Sequence, residues 1–448
     1  MPKLSDHFTY QKLLRYTFPS IVMLLFTSLY CVVDGFFVAN FTDKTAFAAV
    51  NFIWPYLMIL GCPGFMFGAG GSALIAKTLG EQSPKKARQI FSMLLWVSLV
   101  VGIALTVIGF FTVRPLSIAM GARDALLEDC VLYGTIYLLA TPACLLQYEF
   151  QYLCSTAGRP RLGLWVTVAA GVTNMVLDAL FVAVFSWGVT GAAAASVVSQ
   201  YVGGFVPFFF FIRKDAGDLH LVKAPFDLRA LGKICSNGAS ELLSNVSMSA
   251  VGILYNLQLM RYVGEDGVAA YGVLLYVCLI FLAVYIGYSV GAAPVISYHF
   301  GAQNYPELKS LLRKSLVIIS LSAVGMFTAS ELLARPLTIL FAGHDPELMA
   351  ITLRGFLIYS FSFLFAGFAI FSSSFFTALN NGLVSAIISF LRTVVFETAA
   401  VLTFPLLWQV DGIWLSTVGA EAVAALVSAV FLVCLRKKYR YGSDRRPL

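Results

Sequence analysis

The chain is poor in charge. Lys, Arg, Asp and Glu together make up 12% of its 448 residues, where a soluble domain carries about 25%. Histidine is scarcer still: His7, His220, His299 and His344 sit in loops or near the ends of apolar runs, with no metal-ligand spacing. The eight cysteines form no CxxC pair and lie mostly inside apolar runs, so they read as small apolar residues and not as a disulfide or zinc framework. Gly68 to Ser72 reads GAGGS, but no strand precedes it and no GK[ST] follows. That stretch marks close helix packing, not a phosphate cradle. Without an ATP site, any transport has to be driven by an ion gradient, whose electrical part supplies about 2.3 kcal/mol per charge per 100 mV. No His, Asp or Cys constellation supports an integral membrane enzyme. The first 20 residues lack a cleavage-site pattern and are too polar for a signal peptide, so the first apolar run is expected to be retained.

What is present is apolar surface. Hydrophobic residues make up 59% of the chain, more than a soluble core can hide, so the solvent is lipid. The formal charge of +7 is accounted for by Lys and Arg gathering in cytoplasmic loops, without a nucleic-acid partner. A spanning helix needs roughly 20 apolar residues. On that template the first half holds spans at roughly 16–41, 46–76, 88–113, 128–154, 161–186 and 189–212. The second half holds roughly 229–262, 266–297, 311–332, 348–378, 384–408 and 412–435. The expected fold is all-α and integral to the membrane, with twelve transmembrane helices in two six-helix lobes. The lobes are 1–214 and 229–436, joined by a polar linker, 215–228, and followed by a basic tail, 437–448.

Placing the N-terminus in the cytoplasm puts 23 of the 30 Lys and Arg on the cytoplasmic side and six outside, with Arg392 within a span. That bias orients both termini inward, in a cell's inner (plasma) membrane. The halves also repeat. An offset of 221 relates Trp187 to Trp408, Arg114-Pro115-Leu116 to Arg335-Pro336-Leu337, Gly80 to Gly301, Gln82 to Gln303 and Gly191 to Gly412. One register from the second span to the last is a genuine duplication. Six spans per copy preserve orientation, so the copies are related by a pseudo-twofold axis along the membrane normal, with a cavity between halves that rock. No filter motif points to a channel, and a monomer is expected.

A charge at mid-bilayer costs about 2.5–3.5 kcal/mol on insertion scales, so carboxylates inside spans have a partner or a function. Asp34 lies toward the outer end of the first span and Asp178 on the fifth, with Asn174 one turn before it on the same face. Two acids and a carboxamide from different helices suit a proton or Na⁺, and close together the acids titrate as one coupled pair. Glu149, a turn from the cytoplasmic end of the fourth span, is near enough to water to snorkel outward as an alternative to a role in transport. Glu241, with Asn256 further along the seventh span, is a candidate to line the cavity and attract cations. Glu397 and Arg392 are five residues apart, a poor pairing geometry, so each is expected to look to another helix, and Glu421 to anchor packing. Among six prolines in or at the ends of spans, Pro19 shares its helix with Asp34 and is a candidate hinge. Some of the 38 Phe and 20 Tyr are expected to line the cavity, where aromatic faces suit flat organic cations.

VDGFFVAN, GGSALIAKTLGEQ, NMVLD, GVTGAAAAS, AAYGV, APVISYHFGAQNY and DGIWLS together resemble the MATE (multidrug and toxic compound extrusion) exporters, nearest to the bacterial DinF/MepA-like branch of the MOP superfamily. The resemblance covers nearly the whole chain. It implies antiport of amphipathic, often cationic, organic compounds across the bilayer, coupled to H⁺ or Na⁺, with no other cofactor. It also implies a cation site in the first lobe at Asp34, Asn174, Asp178 and Ser196, the first three being metal ligands if the ion is Na⁺. Ser196 stands where a Thr is usual. Tyr133, with Tyr137 one turn on, is implied as support, and Pro19 as the bending proline. The other bacterial branch uses acids on helices seven, eight and ten. Here spans eight and ten carry none in mid-span, which favours the first lobe. The alternative is a flippase of lipid-linked oligosaccharide or a related lipid, from a sister family. Such chains often have more helices or a conspicuously basic cavity, and Arg392 is the one basic residue in mid-span here.

Overall fold

A computed structural model describes residues 3–42, 44–213, 217–342 and 345–442. Part of the proposed linker (215 and 216, with 214 at the lobe edge), His344 and the tail beyond 442 lie outside the described residues. Every element among them is a helix. The first lobe comprises α1 (Tyr10–Phe41), α2 (Lys44–Gly80), α3 (Pro84–Ala119), α4 (Asp124–Leu138 and, after a bend of 61°, Thr141–Thr156), α5 (Pro160–Val184) and α6 (Gly188–Ile212). The second comprises α7 (Leu228–Tyr262), α8 (Glu265–Gly301), α9 (Tyr305–Ala342) and α10 (Pro346–Ala378). Its last two helices share the apolar stretch Gly382–Cys434, with α11 ending and α12 beginning at Gln409, whose φ of 51° and ψ of −125° are non-helical.

Local sequence accounts for the ends. Asp227 caps α7 by accepting from the Arg229 and Ala230 amides, and Asp345 caps α10 in the same way through Glu347 and Leu348. Pro84, Pro160 and Pro346 occupy first helical positions, where a missing N–H costs nothing. Among the described residues, nine stretches are long and apolar enough to cross a bilayer alone. The bent α4 and the break at Gln409 bring the count to eleven, and α7 is the twelfth. Its SNGASELLSN run makes it too polar to qualify by composition, because one side of it faces the other lobe instead of lipid.

The duplication is visible in the breaks. Gln82 and Gln303 both take left-handed φ, 57° and 54°, and Gly188 and Gln409 do so at 56° and 51°. The α4 bend after Leu138 falls at the repeat position of the tight turn Ser360–Ser362 in α10. Across the seam the relation becomes reciprocal. A Cβ on Gly80 would collide with the Tyr298 carbonyl, and one on Gly301 with the Lys77 carbonyl. Gly80 and Gly301, like Lys77 and Tyr298, are repeat partners, so the two lobes meet about a pseudo-twofold axis. Nearer the centre, Gly70 and Gly238 bring α2 and α7 together, backbone against backbone.

These contacts close the seam at the face that carries both termini. There the N-terminal segment crosses to the second lobe. Phe8 is fully buried, its amide donates to Glu307 Oε1 at 2.9 Å, His7 Nδ1 lies 2.5 Å from Glu307 Oε2, and Lys314 holds the Phe8 carbonyl. Tyr439 packs on Phe300 of the same region. Each lobe has one hydrophobic core toward this face and another toward the far face. A small cluster of Ala69, Tyr152 and Val290, with Leu24 and Phe65 against it, joins the lobes at mid-depth.

Candidate functional site

The first-lobe residues singled out in the sequence converge. The Asp34 carboxyl on α1 faces both Asp178 and Asn174 on α5. Tyr133 on α4 reaches the Ser196 hydroxyl on α6 and faces both acids. Tyr137 stacks one turn along on Tyr133 with ring centroids 6.0 Å apart. Asn174, Asp178, Ser196 and Tyr133 are buried, while Asp34 is half-buried. The α1 helix remains a single helix through Pro19. Immediately after Asp178, α5 opens into the wide turn Ala179–Val184. Turns of this kind occur often at functional sites.

What these groups lack is donors. Among the described residues, Asp34 Oδ1, Asn174 Oδ1 and both Asp178 oxygens are buried without a hydrogen-bond partner. A buried charge left unpaired is expensive. Two carboxyl groups in contact are stable when they share a proton or ligate a cation between them. The donor set is all oxygen, which suits hard cations. Among the described residues no group of three or more His, Cys, Asp and Glu could hold a metal ion. Two carboxyl groups and a carboxamide are the kind of donor set that can take up a proton or a hard cation.

Several neighbours were not singled out from the sequence. Tyr30, one turn before Asp34, faces it and reaches Gln147. Gln200 Nε2 lies 3.5 Å from the Tyr137 hydroxyl. Buried glutamines in apolar spans carry the same signal as buried acids, so Gln147 and Gln200 were findable. Tyr276 was not. It comes from α8 of the other lobe, with its hydroxyl 3.7 Å from where a Cβ on Gly35 would sit, and it faces Asp34.

The other charged residues fall out differently. Glu149 does not snorkel. It is fully buried, both its oxygens are unpartnered, and it lies beside Ser98 of α3. The reason is close packing: Gly64 and Gly68 press α2 onto α4 at Leu145 and Glu149, which leaves no path outward. Glu241 sits at the seam, where Tyr152 of the first lobe reaches it, and faces Arg392. Asn256 lies on the exposed side of α7, fifteen residues on and about 22 Å further along the helix. The structure does not bring it to Glu241. Arg392 looks to α12, its Nε 2.9 Å from both Glu421 oxygens and its Nη2 2.6 Å from one.

This two-lobe bundle of twelve membrane helices, with a donor-poor pair of acids buried in one lobe, has the architecture of a polytopic membrane transporter. The MatE family signature matches residues 19–180 and 242–399, and the chain belongs to that family. It is 23% identical over 435 residues to the multidrug export protein MepA of Staphylococcus saprophyticus, covering 96% of this chain and 94% of that one. A crystal structure of MATE in complex with MaL6 superposes with a TM-score of 0.92 at 20% identity, covering 97% and 98% of the two chains. The outward-facing conformation of a multidrug resistance MATE family transporter of the MOP superfamily gives the same score and identity over 97% of each.

Proposed function

We propose that the chain exports amphipathic, often cationic, organic compounds by alternating access, in antiport with H⁺ or Na⁺ and without another cofactor. The observation that carries this reading is that Asp34 and Asp178, from different helices, face each other beside Asn174, with four buried oxygens among the three left without donors. A site of that kind binds a cation from one side and needs a conformational change to release it to the other. The full-length similarity to MepA, a multidrug export protein, supports the cargo class. The basic bias of the loops supports cytoplasmic termini in a plasma membrane, and a pathway formed by two lobes of one chain requires no second subunit. Pro19, below Asp34 on α1, is the hinge through which cation binding alters the cavity.

Substrate enters from the cytoplasm or inner leaflet. A cation loading Asp34, Asn174 and Asp178 from outside, with Ser196 and Tyr133 positioning them, then drives substrate out. The lipid-flippase reading, already disfavoured by a single mid-span base, is weakened further because Arg392 is held by Glu421. The test is efflux of a fluorescent organic cation from proteoliposomes under an imposed pH or Na⁺ gradient. Gradient-driven efflux abolished by Asp34→Asn, in protein that is still folded, is the expected result. Efflux at the wild-type rate in that variant overturns the site.

A further inference from the structure

In a regular helix, residues five apart point about 140° away from one another, and Arg392 and Glu397 have that spacing. The structure places the wide turn Leu391–Phe396 between them. Its i→i+5 winding narrows the angle between them, and Arg392 lies near enough for its charge to act on Glu397. The other such turn among the described residues begins just after Asp178 on α5, the repeat partner of α11.

The pocket that Glu397 faces is the second-lobe image of the Asp34–Asp178 site. The offset of 221 carries Asp34 to Tyr255 and Ser196 to Thr417. The Tyr255 and Thr417 hydroxyls are 2.7 Å apart. Glu397 stands two positions before the image of Asp178, and it faces Tyr255 as Asp178 faces Asp34. The walls differ between lobes. Val50 and Leu138 of the first copy become Tyr271 and Tyr359 in the second, and both rings face Glu397. Tyr255 and Tyr271 stack with centroids 5.1 Å apart and planes 11° from parallel.

Acidic groups outnumber basic ones in this region. Arg392 gives its fork to Glu421 through contacts of 2.6 and 2.9 Å, while Glu397 and, from α7, Glu241 also face it. Three acids surround one base. Glu397 is half-buried and the Tyr255 hydroxyl is shared with Thr417, so the carboxylate keeps acceptor capacity for another group. The first lobe offers a compact set of oxygens, which suits a small cation. Its image offers one carboxylate among flat aromatic faces, which suits a large, weakly hydrated one.

We propose that Glu397, walled by Tyr255, Tyr271 and Tyr359, binds the ammonium group of an organic monocation in the second lobe. This deepens the export reading and rests on it for the cargo class. The test uses the full chain, purified in lipid nanodiscs without any gradient, and benzyltrimethylammonium as the probe, with neopentylbenzene as its uncharged carbon analogue. Calorimetry is expected to show binding of the cation that weakens at least tenfold in Glu397→Gln and several-fold in Tyr359→Leu. Glu397→Asp is expected to stay within a fewfold of wild type, which controls for folding. Absence of wild-type binding, wild-type affinity in Glu397→Gln, equal weakening for the uncharged analogue, or Glu397-dependent binding of Na⁺ in place of the organic cation each overturns the proposal. Failure of the export reading shows itself separately, as wild-type protein that binds the probe but drives no efflux under a gradient.

Discussion

Gly80 and Gly301 are mates across the seam: each lies against a backbone carbonyl of the other lobe, Gly80 on Tyr298 and Gly301 on Lys77. Neither site has room for a Cβ. A large side chain at either one has to hold the lobes apart at the face carrying the termini. Gly80→Leu and Gly301→Leu are therefore expected to produce the same defect, with transport lost and both lobes still folded. Accessibility of a cysteine introduced at Ser297, whose hydroxyl bonds the Ala73 carbonyl across this seam at 2.6 Å, is expected to rise in both. Closed-state protection in either variant contradicts this account of the seam.

Removing one carboxylate of the first-lobe pair removes the need to accommodate two. Asp178→Asn is expected to abolish gradient-driven efflux while leaving the melting temperature of the detergent-solubilised protein at or above that of wild type, because a buried unpaired charge is costly. A large fall in melting temperature would mean that the pair serves chiefly to hold helices together.

Arg392 and Glu421 are expected to behave as a unit. Leu in place of Glu421 alone takes from Arg392 its hydrogen-bonded partner, leaving Glu397 and Glu241 as the nearby acids, and is expected to cost up to about 3–5 kcal/mol, whereas Arg392→Met with Glu421→Leu is expected to cost less than that. A double-mutant cycle of thermal melts measures the coupling. Simple additivity would show that the contacts at 2.6 and 2.9 Å contribute little.

Glu307 holds the N-terminal segment through the Phe8 amide and His7. Glu307→Ala leaves a buried amide without its acceptor, expected to cost about 1–3 kcal/mol. The loss falls on the docking of residues 4 to 8, so limited proteolysis near the N-terminus is expected to accelerate while the helices stay protected. Unchanged cleavage kinetics would show that Phe8, fully buried in the core, suffices to anchor the segment.

Much of the first-lobe site was legible because a carboxylate in an apolar span stands out whatever its neighbours are. Asp34, Asn174, Asp178 and Ser196 were found in that way or through family motifs, and the structure brings them together. Glu149 was not legible, for the complementary reason. Nearness to a span end suggests snorkelling, and only the packing of Gly64 and Gly68 against α4 shows that the route outward is closed. Asn256 and Glu241 were both candidates to line the cavity, and the rise of α7 sets them about 22 Å apart along it.

By itself the sequence determined the twelve spans, the duplication with its constant offset of 221 and the presence of acids where lipid forbids idle ones. These are properties of composition and order along the chain, and an apolar solvent enforces them segment by segment. Tertiary structure alone decided which groups face one another. Sequence spacing placed Arg392 and Glu397 on different sides of a regular helix, and the wide turn at Leu391–Phe396 narrows the angle between them. The offset made Tyr255 the bland counterpart of Asp34, and folding set it beside Glu397. A change of winding over six residues redirects a side chain without leaving a mark in hydropathy. For that reason the second lobe's charged pocket appears only in three dimensions.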